Sequence, residues 1–354
     1  MVEKTVQCPK CYTSIKTSGE PGQVIKIKCP TCGTMGKVTF KFPVSTDNVA
    51  IEVMNLKKVY GNLVAVNNIS FLVKKGEVFA FLGPNGAGKT TTVEMIESIR
   101  SPTAGTIKIF NKDISTSFNE VKDKIGILPQ EFHSFERLTV RETLVYFSKL
   151  YDKRKDVDEI IKLMDLTDHK NMLYKNLSGG LKQRVGVAIS LVNDPDIVFL
   201  DEPTTGLDPK ARREVWGVIA GLKEQGKTVF LTTHYMEEAE YLATHIAIIH
   251  KGKIIAEGTL DELIEKHGSG SKLHIKNCKD ENAFKILKEK GYNVSLGKTG
   301  EILVKIDYKD EVFEILSNLR HECIEFGNLD INQSNLEEVF LNLTGAQLSE
   351  EETQ

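Results

Sequence analysis

The hydrophobic pattern changes character twice along the chain, and those changes mark its organisation. From about Val49 apolar residues gather into strands separated by short turns, as in LVAVNNISFLV and, after Lys74-Lys75-Gly76, EVFAFLG. This predicts an antiparallel sheet that feeds a buried strand at Val78 to Leu82, then a glycine-rich turn and a helix from about Thr90. Helical spacing returns at about Arg141 to Leu150, opened by the capping box Thr139-x-x-Glu142, and again at Val157 to Met164 and Leu181 to Val192. Two further strands are apolar throughout: Ile197 to Leu200, ending at Asp201-Glu202, and Thr228 to Leu231, ending near His234. Strands without polar alternation, separated by helices, are covered on both faces, so residues 46–270 are read as an α/β domain with a mainly parallel sheet, an antiparallel β part and a helical part.

The flanks read differently. Residues 1–45 carry CPKC at Cys8 to Cys11 and CPTC at Cys29 to Cys32, around a strand suggested by Val24, Ile25 and Ile27. Val38, Phe40 and Phe42 then alternate with Lys37, Thr39 and Lys41, and Pro43 to Asn48 reads as a linker. Residues 271–345 alternate short strands around Leu273 to Ile275 and Ile302 to Ile306 with helices at about Asn282 to Lys290 and Glu311 to Arg320, a small α+β domain. Its last helix is expected to open with Ser334-x-x-Glu337 and to present Leu336, Val339, Phe340 and Leu343 on one face. Residues 346–354 form an acidic tail, and no internal repeat is evident.

Composition narrows the classes. The 354 residues carry 46 basic and 49 acidic side chains, a formal net charge of −3, so no global field draws the chain to nucleic acid or anionic lipid. The first 47 residues alone carry seven lysines against Glu3, Glu20 and Asp47, a local charge of +4. The apolar stretch Val185 to Asn193 is half the roughly 18 residues that a spanning helix requires. The N-terminal MVEKTVQCPK lacks an apolar leader core, which places the protein on the cytoplasmic side of whatever membrane it meets. Six cysteines, four of them in two CxxC pairs, point to metal before oxidation.

The strongest chemical signal is Gly83-Pro84-Asn85-Gly86-Ala87-Gly88-Lys89-Thr90, a GxxxxGK[ST] loop between a predicted strand and a predicted helix. In that context backbone N–H groups and the helix N-terminus bind phosphate, Lys89 reaches the β- and γ-phosphates, and Thr90, followed by Thr91, ligates Mg²⁺. Asp201, at the end of an apolar strand, is placed to hold the metal, and Glu202 to polarise the attacking water. The cysteine spacing, C-x2-C, 17 residues, C-x2-C, fits a four-thiolate zinc site of Cys8, Cys11, Cys29 and Cys32; iron in a rubredoxin-like site and two disulfides are the alternatives. Cys278 and Cys323 are read as small packing residues.

Leu177-Ser178-Gly179-Gly180 precedes a helix just upstream of the Asp201 strand. With it the chain resembles the ATP-binding cassette family: an aromatic residue, the P-loop, Gln130 in ILPQE, LSGG, Asp201-Glu202, Gly206-Leu207-Asp208-Pro209 and His234 occur in the family's order from about Val49 to Gly258. The resemblance implies an ATPase whose Ser178, Gly179 and Gly180 close over ATP held by a second subunit, in a head-to-tail homodimer or heterodimer. It further implies adenine stacking by Tyr60, a Mg²⁺ and water sensor at Gln130, a γ-phosphate contact from His234 and a dimer-bridging Asp208. By themselves Tyr60 reads as strand packing and Asp208 as a turn cap before Pro209. Leu181 departs from the family, many members of which have glutamine there.

SNLEEVFLNLTG, from Ser334 to Gly345, resembles the C-terminal end of export-type, ABC-2, cassette ATPases. That likeness implies a peripheral subunit on the inner face of the cell membrane, driving separate transmembrane permease subunits. The alternative is a soluble cassette ATPase acting on nucleic acid through its basic ribbon. One cassette, no coiled-coil insertion and no aromatic-basic interleaving weigh against it. A binding-only pseudo-ATPase is disfavoured by the presence of Lys89, Asp201, Glu202 and His234.

Overall fold

Alternate residues of the apolar strands enter two different cores, which is why polar alternation is missing from them. In the computed structural model, Val78, Val198, Leu200, Val229 and Leu231 join one hydrophobic cluster, and Phe79, Phe81, Ile197, Phe199 and Phe230 join another. The structure describes residues 2–8, 10–19, 24–39, 48–268, 270–276, 278, 282–297, 300–306, 311–322, 324–332 and 334–345. The chain forms two compact units, Met1–Val49 and Ala50–Gln354.

In the larger unit the central sheet has six strands, in the order Ile125–Leu128, Ile197–Asp201, Thr228–Thr233, Val78–Leu82, His245–His250, Lys253–Gly258. The first five run parallel and the last antiparallel. One face packs on helices Val140–Ser148, Val157–Leu163, Gly179–Ile189 and Pro209–Glu224. The other packs on the helix Lys89–Ile96 and an antiparallel sheet that includes Val49–Tyr60, Leu63–Lys74 and Ala104–Ile109. Phe71, Phe79, Phe81, Phe199 and Phe230 join the two sheets there, with Phe79 stacked on Phe71 and Phe230 at centroid separations of 5.3 and 5.4 Å. The capping box at Thr139 forms as expected.

The C-terminal segment is a βαββαβ unit. Strands Ser271–Ile275, Val294–Leu296, Ile302–Ile306 and Leu329–Asn332 pair antiparallel, with helices Asn282–Glu289 and Glu311–His321 covering them. Cys278 packs against its core, and Cys323 lies outside the described residues. The final helix, Leu336–Thr344, has a different allegiance. Its Leu336, Val339 and Phe340 are buried with Ala80, Leu82, Ile246, Ile248 and Leu263 of the α/β core. Its cap is Asn335, whose side chain accepts from the Glu338 amide, one residue beyond the cap expected from the sequence. Ser334 is drawn elsewhere: its hydroxyl lies 2.8 Å from the Gly270 carbonyl and 2.7 Å from the Glu338 carboxylate, with one proton to share between them.

The small unit contains a repeat that its sequence conceals. Hairpins Val2–Gln7/Ser14–Gly19 and Val24–Lys28/Met35–Thr39 are each closed by a CxxC turn of the same geometry. Tyr12 N–H donates to the Cys8 carbonyl at 2.9 Å and Gly33 N–H to that of Cys29 at 3.0 Å. Tyr12 and Gly33 occupy equivalent left-handed positions, φ 58 and 72°, which suits glycine and is uncommon for tyrosine. The expectation of no internal repeat is therefore corrected; the two halves differ at most positions outside the turns. Phe40, Phe42, residues 43–47 and the acidic tail lie outside the described residues.

Candidate active site

The phosphate loop is shaped by close backbone approach. A Cβ at Gly83 would overlap the Ile249 carbonyl, and one at Gly88, where φ is 105°, would lie 2.5 Å from the Ala65 carbonyl. The helix Lys89–Ile96 that follows has no side-chain cap, so its opening turn offers amides and the positive end of its dipole to an anion. Thr90 and Thr91 sit half-buried in that turn. Lys89, 4% exposed, turns back across the loop: its Nζ donates to the carbonyls of Gly83 at 2.8 Å and Pro84 at 3.2 Å.

Glu202 is the centre of the constellation. Its residue is 6% exposed and holds a left-handed backbone, φ 48°. Oε1 pairs with Lys89 Nζ at 3.1 Å. Oε2 lies 3.1 Å from His234 Nδ1 and accepts from Thr205 Oγ1 at 3.1 Å and from Gln130 Nε2 at 3.4 Å. Burial alone would raise its pKa, but the His234 hydrogen bond and the charges of Lys89 and His234 outweigh that and hold it at about 2. Asp201 is raised by its burial, against hydrogen bonds from the Thr232 and Thr90 hydroxyls. The Thr90 hydroxyl and the Asp201 carboxylate are hard oxygen donors of the kind Mg²⁺ takes, while Gln130 reaches Glu202.

Other expected residues lie apart from this cluster. Ser178 is exposed and caps the helix Gly179–Ile189 through a bond from the Leu181 amide at 3.3 Å. The Leu181 side chain packs against the helical core, so the departure at that position costs a polar contact and leaves the cap intact. Gly180 is buried; a Cβ there would come 2.9 Å from Ala211 Cβ on the next helix. Asp208 is the N-cap of Pro209–Glu224, accepting from the amides of Lys210 and Ala211, which is the capping role its sequence allowed. Among the described residues no hydrogen bond or ion pair joins Ser178 or Asp208 to residues 83–91. Tyr60 ends its strand 37% exposed, with Lys58 Nζ 5.2 Å and Arg100 Cζ 5.5 Å from its ring centre. Thr205 and Thr232 had no motif to announce them.

The four cysteines of the small unit converge, with sulfurs all within 4.8 Å of one another. Cys8 and Cys32 sulfurs are 3.5 Å apart, as are those of Cys11 and Cys29. A tetrahedral zinc at about 2.3 Å from each sulfur asks for separations of about 3.8 Å, so the donor set fits. Thr13 lowers the Cys11 thiol, Thr34 lowers Cys32, and the Lys10 and Cys11 amides lower Cys8. Cys29 is pushed up to about 11, its bond from the Cys32 amide outweighed by burial and the sulfurs of Cys11 and Cys32.

The sequence model of the ABC transporter family matches residues 66–205, from ahead of the P-loop to Thr205. The daunorubicin/doxorubicin resistance ATP-binding protein DrrA of Streptomyces peucetius is 37% identical over 305 residues, covering 84% of this chain and 92% of DrrA. The chain belongs to the ABC transporter family. It is an ATP-binding cassette subunit, and the cassette is an ATPase coupled to transport. The linearmycin resistance ATP-binding protein LnrL of Bacillus subtilis is 34% identical over 84% of this chain and 99% of its own length. Among solved structures, cbiO1 of Clostridium perfringens, part of the transporter complex cbiONQ, covers 62% of this chain and 92% of its own, at 27% identity and a TM-score of 0.56. A dimeric cassette, MJ0796 bound to ADP and Pi, covers 59% and 98%, at 28% identity and a TM-score of 0.53. Among the described residues no helix is long and apolar enough to cross a membrane.

Proposed function

We propose that the cassette powers an exporter, binding ATP between two ATPase subunits and driving separate permease subunits from the cytoplasmic face of the membrane. The names of its relatives support export, since they include drug-resistance and Nod factor export ATP-binding proteins. They also favour transport over action on nucleic acid. The observation that carries the catalytic reading is the convergence of Lys89, Gln130, Thr205 and His234 on one buried carboxylate, Glu202.

In this reading the opening turn of the Lys89–Ile96 helix binds the phosphates, Tyr60 takes the base, and Thr90 and Asp201 hold Mg²⁺, which neutralises phosphate charge when bound. Lys89 exchanges Glu202 and the loop carbonyls for phosphate oxygens, and His234 turns to the γ-phosphate. Glu202 thereby loses the His234 hydrogen bond and the Lys89 ammonium that lower its pKa, and it becomes a better acceptor of the water's proton when the phosphate is in place. Gln130 stays beside the same carboxylate and positions the water. In the small unit, Cys8, Cys11, Cys29 and Cys32 hold one zinc, and the ribbon serves contact or regulation rather than hydrolysis.

Glu202→Gln keeps the hydrogen-bond geometry and removes the base. Steady-state turnover should fall about 10²–10⁴-fold, with ATP affinity retained. Turnover near that of the unmodified chain would remove Glu202 from the role.

A further inference from the structure

The helix Met236–Leu242 begins two residues after His234 and places two glutamates in its first turn. Glu237 is exposed, whereas Glu238 is 0% exposed, beside buried Ala239 and Leu242. A carboxyl group in such a place is costly, and a leucine would fill the space without that cost, so its retention calls for specific partners. Glu238 Oε1 has two: it accepts from Thr204 Oγ1 at 2.7 Å and from Trp216 Nε1 at 2.9 Å.

These partners belong to segments that carry the chemistry. Thr204 is two residues beyond Glu202, and its neighbour Thr205 donates to Glu202 at 3.1 Å. Trp216 lies on the helix that Asp208 caps, and its ring is fixed by stacking on Tyr241 at 5.3 Å. Glu238 itself follows His234, and the strand end just before His234 is tied to the phosphate loop, where Gly83 N–H donates to the Thr233 carbonyl at 3.2 Å. One carboxyl oxygen thus joins the loops bearing Glu202, Asp208 and His234. A second tie runs between the same helices, with Arg212 Cζ 3.9 Å from the Tyr235 ring centre.

We propose that Glu238 is a positioning residue for ATP hydrolysis, holding the Glu202, Asp208 and His234 segments in mutual register through Thr204 and Trp216. Burial pushes its carboxyl pKa up, so its hold on these segments works by hydrogen bonding to fixed donors. The inference rests on the catalytic reading of Glu202 and His234 given above.

The test uses the full chain and separates turnover from binding. Trp216→Phe keeps a smaller aromatic ring and deletes the indole N–H; Thr204→Val deletes the hydroxyl. Each should lower kcat about three- to tenfold per nucleotide-binding site while the Kd for ATP measured without magnesium stays within about twofold. Glu238→Leu should cost more than about tenfold, Glu238→Gln should recover most of that loss because its carbonyl still accepts, and Trp216→Phe added to Glu238→Leu should cost nothing further. Unchanged kcat per site in Trp216→Phe and Thr204→Val, with only lower thermal midpoints, would overturn the proposal, and these two mild variants decide the matter if Glu238→Leu does not fold. Glu202→Gln serves as the control. If it is inactive while Trp216→Phe and Thr204→Val are unaffected, the Glu238 inference alone fails; if it retains turnover, the catalytic reading falls and takes the inference with it.

Discussion

Two buried glutamates lie at opposite ends of the chemistry of this cassette, and their surroundings drive them in opposite directions. Glu202 is held at about 2 by Lys89 and His234 despite its burial. Glu97, 6% exposed at the C-terminal end of the helix Lys89–Ile96, is pushed up to about 8 by burial and by the charges of Asp201 and Glu94. Its stabilising contribution is that of a raised carboxyl: fully present below about pH 4.5 and lost as pH rises towards 8, because the unfolded chain ionises first. Replacing it by glutamine removes that loss. Glu97→Gln should therefore gain stability relative to the unmodified chain between pH 5 and pH 8, on the order of 3 kcal/mol at the upper end. Urea unfolding of the nucleotide-free chain at both pH values measures it, and an equal difference at pH 5 and pH 8 would refute the assignment. Glu97 also shows which residues a sequence conceals. Lys89, Gln130, Ser178, Asp201, Glu202 and His234 stand in ordered motifs and were legible, whereas Glu97, Thr205, Trp216 and Glu238 acquire meaning only when distant segments meet. Glu238 is 34 residues from Thr204 and 22 from Trp216, at no spacing that a local pattern would reveal.

At the scale of elements, legibility followed the directness of the local signal. The apolar strands Val78–Leu82 and Ile197–Asp201 and the helix opened by Thr139 were read almost to the residue, because continuous apolar runs and a capping box are local features. The helix Pro209–Glu224 went unread although Asp208 as N-cap and Pro209 at N1 announce it, since the same residues also suit a loop. At Ser334 and Asn335 two capping residues are adjacent, and a tertiary bond to Gly270 with a local one to Glu338 takes the serine. The paired CxxC turns are legible as a donor set but not as a repeat, since symmetry resides in backbone bonds around Tyr12 and Gly33. They carry a prediction of their own. A segment as short as Met1–Val49 buries too little apolar surface to fold unaided, whereas a structural zinc contributes on the order of 10–16 kcal/mol of apparent binding energy. The purified chain should hold one zinc, and chelation should unfold this unit. Cys8→Ser with Cys29→Ser should abolish the metal yet leave basal ATPase within a few-fold. Elemental analysis without zinc, or ATPase lost while the core stays folded, would count against it.

At the scale of the whole molecule, in the dimer proposed above, the cassette would supply half of each composite site. Lys89 and the catalytic carboxylate sit together in one cluster, while Ser178 is exposed on its own helix, its hydroxyl engaged by the Leu181 amide. Gly180 has no room for a side chain against Ala211, so the turn that presents Ser178 is fixed by packing within the chain before any partner arrives. A pre-formed signature turn on one subunit and a pre-formed phosphate loop on another would complete each other head to tail in the proposed dimer; the MJ0796 cassette, of the same fold, is itself dimeric. Complementation between two inactive chains measures this directly. Lys89→Ala disables the loop and leaves the signature turn; Ser178→Arg does the reverse. In a mixed dimer the Ser178→Arg chain supplies an intact loop to the intact turn of the Lys89→Ala chain, and the second site combines both defects. Equal mixing with free exchange makes half of the dimers mixed, each with one working site, so ATPase should recover to about a quarter of the unmodified level if sites act independently. Mixed dimers verified by differential tagging that show no activity above the two parents would place each complete site within a single chain.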